Sequence, residues 1–383
     1  VVDSIVAQSF LCRSCPYNAH AMTLDDFLRR EIEVGSFPGA VYAIGSSRGI
    51  ERENALGNAV AVPLRIPATL DTLYDCASIT KPLVTATLAL QLLDLNPYVR
   101  SLLTHTSGMR AWLPLYLYDN YLDAIREHGP EYEPGTRVIY SDLNFVLLWS
   151  MLPDFVSLAR ERIFAPLGVE HDAMFHPLSS ERPRIAATEW GQRYEAKMAA
   201  TSGQRTSDQW SVISDQGQSG QRPGSSGHRP AVSGQEQPVV RASAFAQRDG
   251  LIWGETHDGN SHFAGGTAGN AGLFATARSV FRLAQSWVSA ELLSRALIDE
   301  ATSNLTPGLP DARGLGWQKP TGSLATSMLS DRAYGHTGFT GTSVWIEPER
   351  ERIMVLLTNR VHPCAAPIAM QRIRGEFHRW ALQ

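Results

Sequence analysis

Strand-like segments lie towards the two ends of this 383-residue chain, with helices and loops between them. Near the start, Ala40–Ser46 and Arg52–Asn58 read as two strands across a turn at Ser47–Gly49, preceded by a short amphipathic helix at Leu24–Glu33. Near the end, Val344–Glu347 and Arg352–Asn359 read as a second pair, followed by a closing helix from about Ala366 to Trp380. This distribution predicts an α+β fold with one antiparallel sheet, built from both termini and flanked by helices. The sheet lobe would comprise residues 24–77 plus 315–383, with a mostly helical lobe at 78–314 inserted between them.

Residues 201–240 stand apart. In that stretch 27 of 40 residues are Gly, Ser, Gln, Arg or Pro, and Trp210 is the only aromatic. Too little apolar surface is available to offset the ordering of its backbone, so it reads as a low-complexity, flexible insertion. Over the whole chain, 43% hydrophobic residues and ample length supply a sizeable core. A net charge of −4 argues against a nucleic-acid partner. The longest apolar runs, such as Phe145–Leu152, fall well short of the roughly 20 residues that span a bilayer, so no transmembrane segment is expected. Four cysteines are too few for a disulfide framework. Cys12 and Cys15 form a C-x-x-C with no second pair at zinc-site spacing, and Cys76 and Cys364 are isolated, so all four read as structural or incidental.

The strongest chemical signal is Ser78-Ile79-Thr80-Lys81, an S-x-x-K that opens the helical run SITKPLVTATLALQLLD. Three residues are nearly one helical turn, so the Ser78 hydroxyl and the Lys81 amine share a face. Burial of that lysine would lower its pKa and let it serve as a base or proton relay towards Ser78. A second element is Tyr140-Ser141-Asp142-Leu143-Asn144, which follows the turn signal Glu133-Pro134-Gly135-Thr136. It could present a phenol at a cleft, cap the helix through Ser141 or Asp142, or do both. A third is His336-Thr337-Gly338, followed by Phe339-Thr340-Gly341 just before a strand. Gly266, Gly269 and Gly272 lack the strand–turn–helix context of a dinucleotide site and read as a tight loop.

In this order the three elements resemble the serine β-lactamase and penicillin-binding protein superfamily, marked by S-x-x-K, then S-D-N or Y-x-N, then K-T-G. More closely, the chain is similar to the class C β-lactamase-related branch, which includes D-alanyl carboxypeptidase-like proteins and family VIII carboxylesterases. Leu102–Met109, Tyr132–Asn144, Arg160–Gly168 and Ala268–Ala277 carry the likeness further, so that it covers about Leu24–Trp380 apart from the insertion. The resemblance implies a β-lactamase/transpeptidase-like fold with the site between its two lobes. It makes Ser78 the acylated nucleophile, Lys81 its proton-handling partner, and Tyr140 the general base and leaving-group acid. Ser141 is the competing match for the base, although an S-D-N would then need Asn at Leu143. The oxyanion hole would be the backbone N–H groups of Ser78 and Phe339, and Asp142, Asn144, His336, Thr337 and Gly338 would contact substrate. No metal or organic cofactor is implied.

Two departures bear on substrate. Asp142 stands where the branch has the Asn of Y-x-N; paired with Lys81, it would raise the lysine pKa and favour a phenolate at Tyr140. His336 replaces the Lys of K-T-G, and histidine is only partly charged near neutral pH. A carboxylate anchor is thereby weakened, which favours a small ester, amide or peptide substrate over dedicated β-lactam hydrolysis, with β-lactams and peptidoglycan-like peptides still within range. The alternative is a non-catalytic peptidoglycan- or ligand-binding module with a degenerate site. His105 reads as a buried structural histidine. The connections at Asn96–Ser101 and between Trp149 and Ala159 are shorter than the family's. Compartment and oligomeric state stay open.

Overall fold

A computed structural model describes residues 22–191, 248 and 250–383. The insertion at 201–240 and the Cys12-x-x-Cys15 pair lie outside the described residues. Six strands form the main sheet in the order β3-β2-β1-β9-β8-β7, all antiparallel. They are β1 (Gly39–Ser46), β2 (Gly49–Val60), β3 (Ile66–Pro67), β7 (Tyr334–Thr337), β8 (Ser343–Glu347) and β9 (Arg352–Thr358). β1 lies at the seam between the two ends of the chain, paired with β2 on one side and β9 on the other.

Strand alternation explains why the central strands are apolar along their whole length. Val41 and Ala43 of β1, Val344 and Ile346 of β8, and Ile353, Val355 and Leu357 of β9 face one core. Ala40, Tyr42, Ile44, Trp345, Met354 and Leu356 face the other. The first face is covered by the helical body and by α8 (Ala277–Ser289), the second by α1 (Leu24–Glu33) and α10 (Met370–Ala381). A capping box starts α1: Thr23 Oγ1 accepts from the Asp26 amide and the Asp26 carboxylate accepts from the Thr23 amide. The closing helix begins at Met370, four residues after Ala366. Pro367 disfavours helical backbone at the residue before it, so Ala366 stays outside.

A second, three-stranded antiparallel sheet was not evident in the sequence: β4 (Tyr74–Asp75), β6 (Phe274–Ala275) and β5 (Ala173–Met174), with β6 in the middle. It joins the residues just before Ser78 to those just after the glycine-rich loop. The other helices are α2 (Thr87–Leu92), α3 (Pro97–Leu103), α4 (Tyr121–His128), α5 (Asp142–Ser150), α6 (Phe155–Ala159), α7 (Gly259–Phe263) and α9 (Arg295–Ala301). The short stretch after Trp149 is a sharp corner, where the chain turns by 94° between α5 and the helical segment from Phe155 to Phe164. Among the described residues no single helix is long and apolar enough to cross a membrane.

Leu28 is fully buried in the core between α1 and the sheet. Leu28→Ala is expected to destabilise the fold by about 2–5 kcal/mol, read from the denaturant midpoint at unchanged slope.

Candidate active site

Ser78 lies in a single 3-10 turn, Ala77–Ile79, which leads into a wide helical turn at Lys81–Ala86 before regular helix resumes in α2. The continuous α-helix expected from Ser78 onward is therefore replaced at its start. Pro82 has no N–H to give the ladder, and Thr87 Oγ1 contacts the carbonyls of Pro82 and Leu83, each at 3.1 Å. Ala77 adopts φ +46°, a strained value for a residue with a Cβ. The strain is held by Asp75, whose buried carboxylate accepts from the Ala77 amide at 2.8 Å and the His257 amide at 2.7 Å. From the other side, Thr340 Oγ1 donates to the Asp75 carbonyl and Thr342 Oγ1 to the Cys76 carbonyl, both at 2.8 Å. Gly338 lies inside this junction: a Cβ there would sit 2.6 Å from the Cys76 carbonyl oxygen and 2.1 Å from Thr342 Oγ1.

Lys81 is buried, with three oxygens within 3.0 Å of its Nζ. It donates to Ser78 Oγ at 2.9 Å and to the Asn270 carbonyl at 3.0 Å, and forms an ion pair with Asp142 Oδ1 at 2.6 Å, off the angle of an aligned hydrogen bond. A carbonyl and a carboxylate are acceptors only, so these partners suit an ammonium. Burial pulls the Lys81 pKa down, but Asp142 and Tyr140 outweigh it and hold it above the usual lysine value. Of the two directions the sequence offered, lowering by burial and raising by an Asp142 pair, the second prevails. Burial raises Asp142 itself above the usual carboxylate range, with Lys81 opposing.

The Tyr140 ring lies 5.0 Å from Lys81 Nζ and 5.4 Å from the buried Arg313 guanidinium, which is paired with Asp311. Burial raises the Tyr140 pKa; Lys81 works against it without overcoming it. That direction favours a neutral phenol at rest, against the phenolate that the Lys81–Asp142 pair would favour. The buried Tyr140 hydroxyl lies beside Lys81 and Ser78, off the angle of an aligned hydrogen bond to either. Ser141 does not compete for the same position, because its hydroxyl donates to the Arg110 carbonyl at 2.7 Å. His105 positions this segment: its carbonyl accepts from the Ile139 amide, its Nδ1 accepts from the Ser141 amide at 3.1 Å, and its ring lies 4.8 Å from that of Tyr140.

His336 extends from β7 on the same side, its ring centroid 5.7 Å from that of Tyr140. Nδ1 lies 2.8 Å from the Thr337 carbonyl and so carries the proton, which leaves Nε2 as a buried acceptor without a partner. Burial, then Lys81 and Arg313, push its pKa well below that of ordinary histidine. Phe339 is next to the Ser78 turn through Gly338; its carbonyl accepts from Arg360 and its ring stacks against His257, which is paired with Glu189. Asn144 is not brought to the cleft. It is fully buried, with Oδ1 accepting from Ser107 Oγ at 2.6 Å, so its role is to hold the 104–109 loop. The glycine-rich loop is tight, as read: a Cβ on Gly269 would sit 2.6 Å from the Trp149 Cβ. Sequence reasoning missed what it delivers, the Asn270 carbonyl beside Lys81, along with Asp75 and Arg313. Only Asp75 left a signal, an aspartate two residues before a turn. Among the described residues no cluster of His, Cys, Asp and Glu could hold a metal ion.

A family model described as Beta-lactamase matches residues 95–375. The chain belongs to the Beta-lactamase family. That match begins after Ser78 and Lys81, but whole-length relatives extend across both. A Salmonella newport protein named "Putative D-alanyl-D-alanine carboxypeptidase" is 26% identical over 410 aligned residues, covering 90% of this chain and 84% of its own. Among solved structures, simvastatin synthase (LovD) from Aspergillus terreus superposes with a TM-score of 0.60 at 16% identity, over 93% of this chain and 96% of that one. EstCE1, a hydrolase with promiscuous acyltransferase activity, gives 0.59 at 15% identity over 93% and 95%. A β-lactamase (Mb2281c) from Mycobacterium bovis gives 0.53 at 18% over 92% and 98%. These structures share the α+β, β-lactamase-like fold of this Beta-lactamase family member.

Because His336 is neutral and buried, it is expected to stay neutral, with its proton on Nδ1, as pH falls from 8 to 5. Nitrogen NMR of the labelled imidazole checks this; titration near the ordinary value of about 6.5 would show a solvated ring.

Proposed function

We propose that this β-lactamase-family serine hydrolase works through an acyl-enzyme at Ser78 on small esters, amides or peptides. The observation that carries the reading is the meeting of four groups from two distant segments: Ser78 with Lys81 at 2.9 Å, Lys81 with Asp142 at 2.6 Å, and the Tyr140 phenol beside the ammonium. Ser78 Oγ attacks the carbonyl carbon, and the developing oxyanion is received by the Ser78 and Phe339 amides. Tyr140, a neutral phenol, has a proton to give to the leaving oxygen or nitrogen. Deacylation replaces the leaving group with water.

Substrate preference follows from His336. Where K-T-G enzymes carry an ammonium, this site has a neutral imidazole whose free nitrogen accepts a hydrogen bond. A hydroxyl or amide N–H satisfies it, and a carboxylate does not. The reading therefore ranks an uncharged ester or amide above a β-lactam or a peptide that relies on its terminal carboxylate there. The names of the relatives, a carboxypeptidase and an acyl-transferring hydrolase, fit acyl transfer through serine.

Nitrocefin, p-nitrophenyl butyrate and a D-Ala-D-Ala peptide, assayed side by side, test this. The butyrate ester is expected to turn over fastest. Ser78→Ala should abolish turnover and the fluorophosphonate adduct, and Tyr140→Phe should reduce turnover by about 10²–10⁴-fold. Full activity of Ser78→Ala would refute the mechanism, and absence of any covalent adduct in the native protein would favour a binding module.

A further inference from the structure

We propose that Asp142 is the proton acceptor of the acylation step, acting through Lys81 as a positioning residue. The inference rests on the reading of Ser78 as the nucleophile. It starts from a difficulty within the site: no usual acceptor for the Ser78 proton is disposed to take it. Lys81 sits among three oxygens that suit an ammonium, and the Tyr140 hydroxyl, its pKa raised by burial, makes no aligned hydrogen bond to Ser78. His336 has a free nitrogen, but nothing links it to Ser78 by a hydrogen bond. The remaining base in the chain of contacts is the Asp142 carboxylate, 2.6 Å from the Nζ that itself touches Ser78 Oγ.

The step balances without any added reactant. Lys81 passes one proton to Asp142 Oδ1 and takes another from Ser78 Oγ–H, so it remains an ammonium throughout. The freed Oγ electron pair forms the bond to the carbonyl carbon, and the carbonyl π pair moves onto its oxygen. As the tetrahedral intermediate collapses, the bond to the leaving group breaks and Tyr140 supplies its proton. The acyl-enzyme then holds protonated Asp142, ammonium Lys81 and phenolate Tyr140, with the same net charge as the resting site. Deacylation runs these transfers in reverse with water in place of the leaving group.

The surroundings suit a carboxylate with modest acidity. Asp142 is the first residue of α5, where the helix dipole favours its charge. It faces Lys81 from the Ser78 helix, Tyr140 from the segment before α5, and Asp258 from the cap of α7. Asp258 opposes the negative charge and is bonded to the Asn270 side chain, whose backbone carbonyl is the third partner of Lys81. Arg313 is the other cation facing Tyr140, and the imidazoles of His105 and His336, close to Lys81, are neutral.

The test is the pH dependence of Ser78 labelling by a fluorophosphonate, followed by intact mass, which needs no knowledge of the natural substrate. In the native protein the rate should fall at low pH as Asp142 is protonated, with the limb above the ordinary carboxylate value of about 4. In Asp142→Asn, labelling at pH 6 should drop by about 100-fold, and the limb should move up by at least one pH unit, because Lys81 must then lose its own proton. Asp142→Glu should restore the limb. A curve for Asp142→Asn that overlays the native one, or that falls equally at every pH, overturns the proposal. A solvent-isotope proton inventory of native labelling is independent of the variant's folding: two protons in flight give a curved plot, and a linear plot overturns the relay. If the native protein is not labelled at all, the nucleophile assignment fails first, which separates the two failures.

Discussion

A lysine ammonium taken out of water costs several kcal/mol unless its environment replaces that water, and Lys81 is buried completely. The replacement comes from three separate parts of the chain: Ser78 on its own helical turn, Asp142 at the start of α5, and the Asn270 carbonyl in the glycine-rich loop. Each of these segments is consequently fixed to the others at one point. The same charge helps set the protonation of what surrounds it. It adds to burial in keeping His105 and His336 neutral, and works against the burial that keeps Tyr140 a phenol.

The nucleophile is held in a conformation that its local sequence would not choose. Ala77 takes a left-handed backbone angle, braced by the Asp75 carboxylate on one side and by Thr340 and Thr342 on the other. Two sheets converge there. β4 of the small sheet ends at Asp75, and the loop after β7 of the main sheet brings Gly338 so near the Cys76 carbonyl that a Cβ would not fit. Stability at this junction and orientation of Ser78 therefore depend on the same contacts.

Much of this was legible in the sequence because it is local. The strand pairs near both ends, the first helix at Leu24–Glu33 and the three-residue spacing of Ser78 and Lys81 are patterns within a few residues, and the structure repeats them. Apart from the Lys81–Asp142 pair, features set by distant partners were not legible. The Asn270 carbonyl reaches Lys81 across 189 positions, and backbone groups leave no residue-type signal. Both opposing influences on the Lys81 pKa, burial and the Asp142 carboxylate, were legible, and the carboxylate is the one that prevails. Asn144 was placed in the cleft with Asp142, yet two helical positions are about 200° apart, so one faces Lys81 and the other Ser107.

The protonation state of Lys81 is the point on which the site depends, and neutron diffraction from deuterated crystals of the free protein observes it directly. Three deuterons on Lys81 Nζ, none on Asp142 and one on the Tyr140 hydroxyl are expected. Two deuterons on Nζ, with a protonated Asp142 or a bare Tyr140 oxygen, would contradict a resting ammonium held by its three oxygens.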